Sequence, residues 1–154
     1  MKQNHLDIDA ILNKYPGEPR YLISILQDVQ ASYQYISEEN MNLVCDHLGV
    51  PLTQVWSVAT FYKAFSLKPQ GEHKIRVCQG TACHLKGSHR LVENLSRELG
   101  VQAGDTTEDL KFTLETVNCL GACALAPVAV VDEKYYAKVT AQKLDKVIKK
   151  VSAE

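Results

Sequence analysis

No stretch of this chain stays apolar for anything near the ~20 residues that a membrane-spanning helix requires, so direct membrane insertion is not expected. The first residues, Met1 to Asp7, hold no apolar core of the kind an export signal carries, and no secretory leader is expected. There is no Cys-x-x-Cys pair, which argues against a thiol–disulfide exchange centre of the thioredoxin type. There is also no Gly-x-Gly-x-x-Gly and no P-loop, so the sequence offers no nucleotide-binding fingerprint. Neither charge is in surplus: the net charge is -1, which gives no reason to expect nucleic acid as a partner. The imbalance that exists is regional. Residues 1–72 hold five Lys/Arg against eight Asp/Glu, and residues 73–154 hold twelve against ten. At 45% hydrophobic and 23% charged, the composition is that of an ordinary soluble globular protein. A length of 154 residues suits one domain or two small ones.

Against these absences stand five cysteines. Without an export signal they point to reduced thiols in a cytoplasmic setting, where cysteines serve as metal ligands or redox groups more often than as disulfides. Four of them fall in two short windows, Cys78-Gln79-Gly80-Thr81-Ala82-Cys83 and Cys119-Leu120-Gly121-Ala122-Cys123. Each window carries a glycine, and each follows a run that reads as a β-strand. Two thiolate pairs delivered by two loops make a four-sulfur site, and the reading is a [2Fe-2S] cluster held by Cys78, Cys83, Cys119 and Cys123. Such a cluster takes four thiolates, two on each iron, and with both irons ferric the assembly is a dianion. A dianion needs donors. Gly80 and Gly121 let backbone N–H groups approach the sulfurs without a Cβ in the way, and Thr81 offers a hydroxyl. Lys74, Arg76, Lys86 and Arg90 lie near the first pair in sequence and are expected to offset charge and raise the reduction potential. A structural zinc site is the competing use of four cysteines, although zinc favours shorter Cys-x2-Cys spacings. His84, next to Cys83, is expected at the surface or behind the ligands. Cys45 lies on an apolar helical stripe and reads as a buried small hydrophobe.

Residues 1–70 read as a small helical bundle. Ile8, Ile11 and Leu12 mark a short first helix, stopped by Tyr15-Pro16-Gly17-Glu18-Pro19. Leu22, Ile25, Leu26, Val29 and Tyr33 form an amphipathic stripe. Ser37 is the expected N-cap of a third helix bearing Met41, Val44, Cys45 and Leu48, stopped by Gly49. Pro51 is expected in the first turn of a fourth, with Val55, Trp56, Ala59 and Tyr62 toward a core. Phe61 and Phe65 are likewise expected inside, with a partner-docking surface built from Trp56, Phe61, Tyr62 and Phe65 as the alternative. The turn Lys68-Pro69-Gln70-Gly71 is the expected domain boundary. From residue 73 to 154 the order changes to β-α-β-β-β-α. The strands are 73–78, 112–117, 127–131 and 135–139, the last two a hairpin around 132–134. Helices are expected at 88–99 and from Thr140. Strand–helix alternation followed by a hairpin and a closing helix suits a small mixed α/β sandwich.

Three segments together resemble a known family: Val55-Trp56-Ser57-Val58-Ala59-Thr60-Phe61-Tyr62, Cys78-x4-Cys83-His84-Leu85-Lys86-Gly87-Ser88, and Cys119-Leu120-Gly121-Ala122-Cys123-Ala124-Leu125-Ala126-Pro127. They are similar to the thioredoxin-like [2Fe-2S] subunit of NADH dehydrogenases, a component of complex I. Relatives of that subunit serve NAD(P)-linked and electron-bifurcating hydrogenases and NAD-dependent formate dehydrogenases. Ser57 stands where that family commonly has Glu. The resemblance covers nearly the whole chain. It implies an N-terminal helical bundle followed by a thioredoxin-like [2Fe-2S] ferredoxin domain, an α+β and α/β combination, and it implies the same four cysteines as ligands. It also implies a partner subunit bearing FMN, an NAD(H) site and its own iron–sulfur cluster, with further iron–sulfur or catalytic subunits beyond it. The expected function is electron transfer in an NAD(P)H-linked oxidoreductase complex located in the cytoplasm, at the membrane where its complex is membrane-bound. A free-standing ferredoxin and a zinc-stabilised interaction module are the alternatives.

Overall fold

A computed structural model describes residues 7–152, and the chain divides into two compact units, residues 1–69 and 70–154. In the first unit, α1 (Ile8–Leu12), α2 (Leu22–Tyr33), α3 (Glu38–Leu48) and α4 (Leu52–Phe61) pack around one apolar core. Ile11, Ile25, Leu26, Val29, Val44 and Val55 are fully buried there, each contributing roughly 1.5–3 kcal/mol over an exposed position. A short 3-10 turn, Pro19–Tyr21, leads into α2. Ser37 caps α3 by accepting the Asn40 amide at 3.1 Å. Gly49 closes it in the left-handed region at φ 64, its amide bonded to the Cys45 carbonyl. Pro51 lies one residue ahead of the place the sequence suggests: it precedes α4, which begins at Leu52.

The aromatic residues of α4 differ from expectation. Trp56, Phe61 and Tyr62 are exposed, and only Phe65 packs against the helical core. The buried stripe of α4 is Val55 and Ala59, four residues apart. Trp56 lies one residue, about 100° of helical rotation, off that stripe. The helix ends at Phe61, and Tyr62 takes an extended backbone, so the helical period no longer applies to it.

The second unit is a four-stranded sheet in the order β2-β1-β3-β4. Its strands are β1 (His73–Cys78), β2 (Phe112–Val117), β3 (Ala129–Val131) and β4 (Lys134–Tyr136). β1 and β2 are parallel, in register from His73 opposite Phe112 to Cys78 opposite Val117. β3 runs antiparallel to both β1 and β4. The helices α6 (Ser88–Leu99) and α7 (Ala141–Val151) bury Leu91, Leu95, Leu144 and Ile148 against Ile75, Val77, Phe112, Leu114, Ala129 and Val131. Thr116 shares the face of Phe112 and Leu114 but is exposed at the end of β2.

Two features of this unit lie outside the sequence reading. A five-residue helix, α5 (Thr81–Leu85), sits between β1 and α6. The hairpin is also tighter than expected. Val131 pairs with Lys134, so the turn is only Asp132-Glu133, with Asp132 at φ 55. Strand pairing stops short of Pro127, which has no N–H for a ladder, and of Lys138, which sits at φ 45.

Candidate metal centre

The parallel pairing of β1 and β2 decides the geometry of the site. Cys78 is the last residue of β1 and lies opposite Val117, the last residue of β2. Both following loops therefore leave the sheet side by side at the same end. The Gln79 amide donates to the Val117 carbonyl at 2.8 Å and ties the first loop to the end of β2. Gly80 lets the loops close up: a Cβ there would lie 2.8 Å from the Asn118 carbonyl oxygen and 3.6 Å from the Cys78 Sγ. From Gly80 the chain enters α5, which turns Cys83 inward. The second loop bends at Gly121, φ 74, and reaches a 3-10 turn at Cys123–Leu125.

The loops bring the four thiols of Cys78, Cys83, Cys119 and Cys123 together. Cys78 is in hydrogen-bonding contact with Cys83 and with Cys119, and Cys119 with Cys123. All four are free of disulfides. Cys78 and Cys83 form a buried apolar nest with Ala126 and Val128, against which Leu120, Ala122 and Val117 pack. Cys119 and Cys123 are exposed.

Backbone amides converge on these sulfurs. Those of Gly80 and Leu120 point at the Cys78 Sγ, that of Val128 at the Cys83 Sγ, and that of Gly121 at the Cys119 Sγ at 3.3 Å. Their electrostatic effect is legible in the thiols. Burial pushes Cys78 up, but the amides of Gly80 and Leu120, with the Cys83 and Cys119 thiols, outweigh it and bring Cys78 below an ordinary thiol. Cys83 is raised by burial and by the negative character of Cys78 and Cys123, with the Val128 amide opposing. Cys123 is raised chiefly by Cys119 beside it. The Cys78 thiolate is thus favoured already, and Cys83 and Cys123 resist ionising near it until a cation arrives.

The donor set fits a [2Fe-2S] group. Four thiols in contact order from Cys83 through Cys78 and Cys119 to Cys123 can give each of two irons a pair, and amides aimed at sulfur are what an anionic cluster needs. Among the described residues no three ligand-type side chains enclose a single ion.

The other residues singled out in the sequence are not part of this centre. Thr81 is exposed in the first turn of α5, and Arg90 is exposed on α6. Arg76 donates to the Asp132 carbonyl at 2.9 Å, at the hairpin turn. Lys74 is depressed by burial, and its amide bonds the Asp132 carboxylate. His84 is exposed, its ring 5.2 Å from that of His89. Cys45 is buried in the helical core, its thiol raised by burial and by Asp46. The amides of Leu120 and Val128 carry no signal in the sequence, because every residue but proline has one.

Known proteins are similar to this chain in sequence over nearly all its length. A family model described as thioredoxin-like [2Fe-2S] ferredoxin matches residues 8–152. The HndA subunit of the NADP-reducing hydrogenase of Solidesulfovibrio fructosivorans is 36% identical over 142 residues, 92% of this chain and 83% of that protein. A subunit of the NADH-quinone oxidoreductase of Rickettsia conorii is 36% identical over 153 residues, 97% of this chain and 92% of that protein. Among solved structures, an NAD+-reducing [NiFe]-hydrogenase in the air-oxidized state superposes with a TM-score of 0.73 at 20% identity. That match covers 86% of this chain and 23% of the longer hydrogenase chain, and it concerns the fold. The sheet, the two cysteine loops and these similarities agree: the chain belongs to the thioredoxin-like [2Fe-2S] ferredoxin family.

Proposed function

We propose that this chain is the electron-carrying subunit of a multisubunit NAD(P)H-linked oxidoreductase, with Cys78, Cys83, Cys119 and Cys123 as the ligands of its [2Fe-2S] cluster. The observation that carries this reading is the meeting of four free thiols at the ends of two adjacent parallel strands, with backbone amides aimed at three of the sulfurs. When bound, the cluster accepts and returns single electrons. The protein's part is to hold it. Cys78 and Cys83 fix one side in an apolar nest, the amides favour the added negative charge, and the exposed second loop leaves the other side open to a partner. The chain has no nucleotide fingerprint of its own. The flavin, the NAD(P) site and further clusters are assigned to partner subunits, in keeping with the names of its relatives. Among the described residues no helix is long and apolar enough to cross a membrane. Free thiols suit a cytoplasmic setting, with any membrane attachment made through the complex.

Docking to the flavin subunit is assigned to the helical unit, where Trp56 at 49% and Phe61 at 78% exposure present apolar surface. Replacing both, Trp56→Ser with Phe61→Ser, is expected to lower co-purification with that subunit severalfold while iron content stays unchanged. Undiminished association sinks the docking assignment.

The central test is anaerobic purification with iron and zinc assayed on one sample, and optical and EPR spectra before and after dithionite. About two irons per chain and an EPR signal appearing on reduction are expected. A colourless protein with one zinc per chain overturns the reading.

A further inference from the structure

The helices α6 and α7 pack on each other as well as on the sheet, and each carries one acid at the edge of its apolar stripe. On α6, Leu91 and Leu95 are buried, and Glu98 follows three residues after Leu95, in the last turn. On α7, Leu144 and Ile148 are buried, and Asp145 lies between them, three residues before Ile148. Residues three and four apart share a helix face, so both acids border the faces that the helices turn to the core. The two carboxyl groups are in hydrogen-bonding contact with each other. The Asp145 Oδ1 is buried, and no donor of the protein reaches it.

Two carboxylates in contact repel, and a buried acceptor calls for a donor. One proton answers both demands: Glu98, as the acid, donates its O–H to the Asp145 carboxylate. The other charged groups around Glu98 are few. α7 brings Lys149, which favours the ionised form. The loop ahead of β2 brings Glu108 and Asp109 to the hollow that Glu98 lines, and the sheet contributes the apolar Phe112 there. Asp109 is held ionised by the Thr107 hydroxyl and the Lys111 amide. The carbonyl end of α6 adds negative potential of its own. Burial and Asp145 together outweigh Lys149 and raise Glu98 above the ordinary carboxyl range.

We propose that Glu98 and Asp145 share one proton across the contact of α6 with α7, forming a clamp between the two helices that tightens in mild acid. The proposal goes beyond the electron-transfer reading and does not depend on it. The clamp lies at the end of the sheet where β1 and β2 begin, and the cysteines lie at the other end. The sign follows from the folded state holding the proton more tightly than the unfolded chain. The added stability is complete below the ordinary glutamate value and is lost as the pH rises through the raised value of Glu98.

The test uses the full chain, purified anaerobically as wild type, Glu98→Gln and Asp145→Asn, with iron assayed to show that the variants load alike. The carboxyl carbon of Glu98 is followed against pH by NMR spectroscopy, and thermal melts are recorded between pH 5.5 and 8. In the wild type Glu98 gains its proton at a higher pH than in Asp145→Asn, where the opposing charge is gone. Glu98→Gln keeps a donor on Asp145 at every pH. It melts about 2 °C above the wild type at pH 8, and the gap closes toward pH 5.5. The same protonation midpoint for Glu98 in the wild type and in Asp145→Asn overturns the shared proton. If Asp145→Asn does not fold, a Glu98→Gln that melts no higher than the wild type at pH 8 overturns it instead.

Discussion

The loop after β1 keeps Cys78 and Cys83 almost wholly from solvent, 3% and 2% exposed, whereas the loop after β2 leaves Cys119 and Cys123 at the surface. The supports differ as well. The first loop folds into α5 and is tied to the end of β2 and to α6 by Gln79. The second is a bend at Gly121 and a single 3-10 turn. The two pairs of thiols proposed as ligands thus have inequivalent surroundings. A buried side lowers the local dielectric and strengthens each hydrogen bond to sulfur. An open side shortens the distance to a partner. The difference teaches that anchoring and access are divided between the loops.

The sharpest way to break this comparison is to remove the thiols one at a time. Cys78→Ser and Cys83→Ser each place a hydroxyl in the apolar nest of Ala126 and Val128, where a serine oxygen is a poorer ligand and an unpaired buried polar group. Each is expected to abolish iron incorporation. Cys119→Ser and Cys123→Ser sit where solvent and a bending loop can accommodate an oxygen ligand. They are expected to retain a measurable share of the iron, with an altered EPR signal and faster loss in air. Iron per chain, measured on the four purified variants, checks this. Equal loss in all four removes the division between the loops.

A smaller effect separates the two glycines. Gly80→Ala brings a Cβ to 2.8 Å from the Asn118 carbonyl, a backbone atom that can yield only if the loops part. The cost is about 1–3 kcal/mol of stability, together with lowered iron content. Gly121→Ala meets nothing within 4 Å, but its φ of 74 is unfavourable for a Cβ, costing roughly 1–2 kcal/mol without separating the loops. Thermal melts are expected to move for both, and iron content only for Gly80→Ala.

What can be read from sequence follows the same division. The cysteine windows stand out because metal chemistry calls for particular side chains, and the strands and main helices stand out because apolar residues recur at the right period. α5 does not: its five residues, between Gly80 and Lys86, show no apolar stripe and look like loop. The convergence of the windows depends on the parallel register of Cys78 with Val117, a long-range pairing that neither strand encodes alone. The amides on Cys78 and Cys83 come from backbone at Leu120 and Val128, to which side-chain identity is silent. Trp56 misleads because its one-residue offset from Val55 places a large apolar side chain at the edge of a stripe that the fold buries only through Val55 and Ala59.

The smallest expected effect concerns charge. Lys74, Arg76, Lys86 and Arg90 are all near the first cysteine pair in sequence, yet the structure treats them differently. Arg76 is committed to the Asp132 carbonyl at the hairpin turn. Lys86 is exposed, closing α5 three residues after Cys83, with its amide bonded to the Cys83 carbonyl. Removing a cation disfavours the added electron, so Lys86→Gln lowers the midpoint. Solvent screening at an exposed site limits the effect to about 0.5 kcal/mol, or about 20 mV for one electron. Arg76→Gln shifts the potential less and lowers thermal stability instead, because its loss frees the Asp132 carbonyl. Repeating the titration at high salt sharpens the distinction, since the Lys86 effect shrinks with screening. A larger shift for Arg76 than for Lys86 would show that the first loop feels the hairpin end of the sheet more than its own helix.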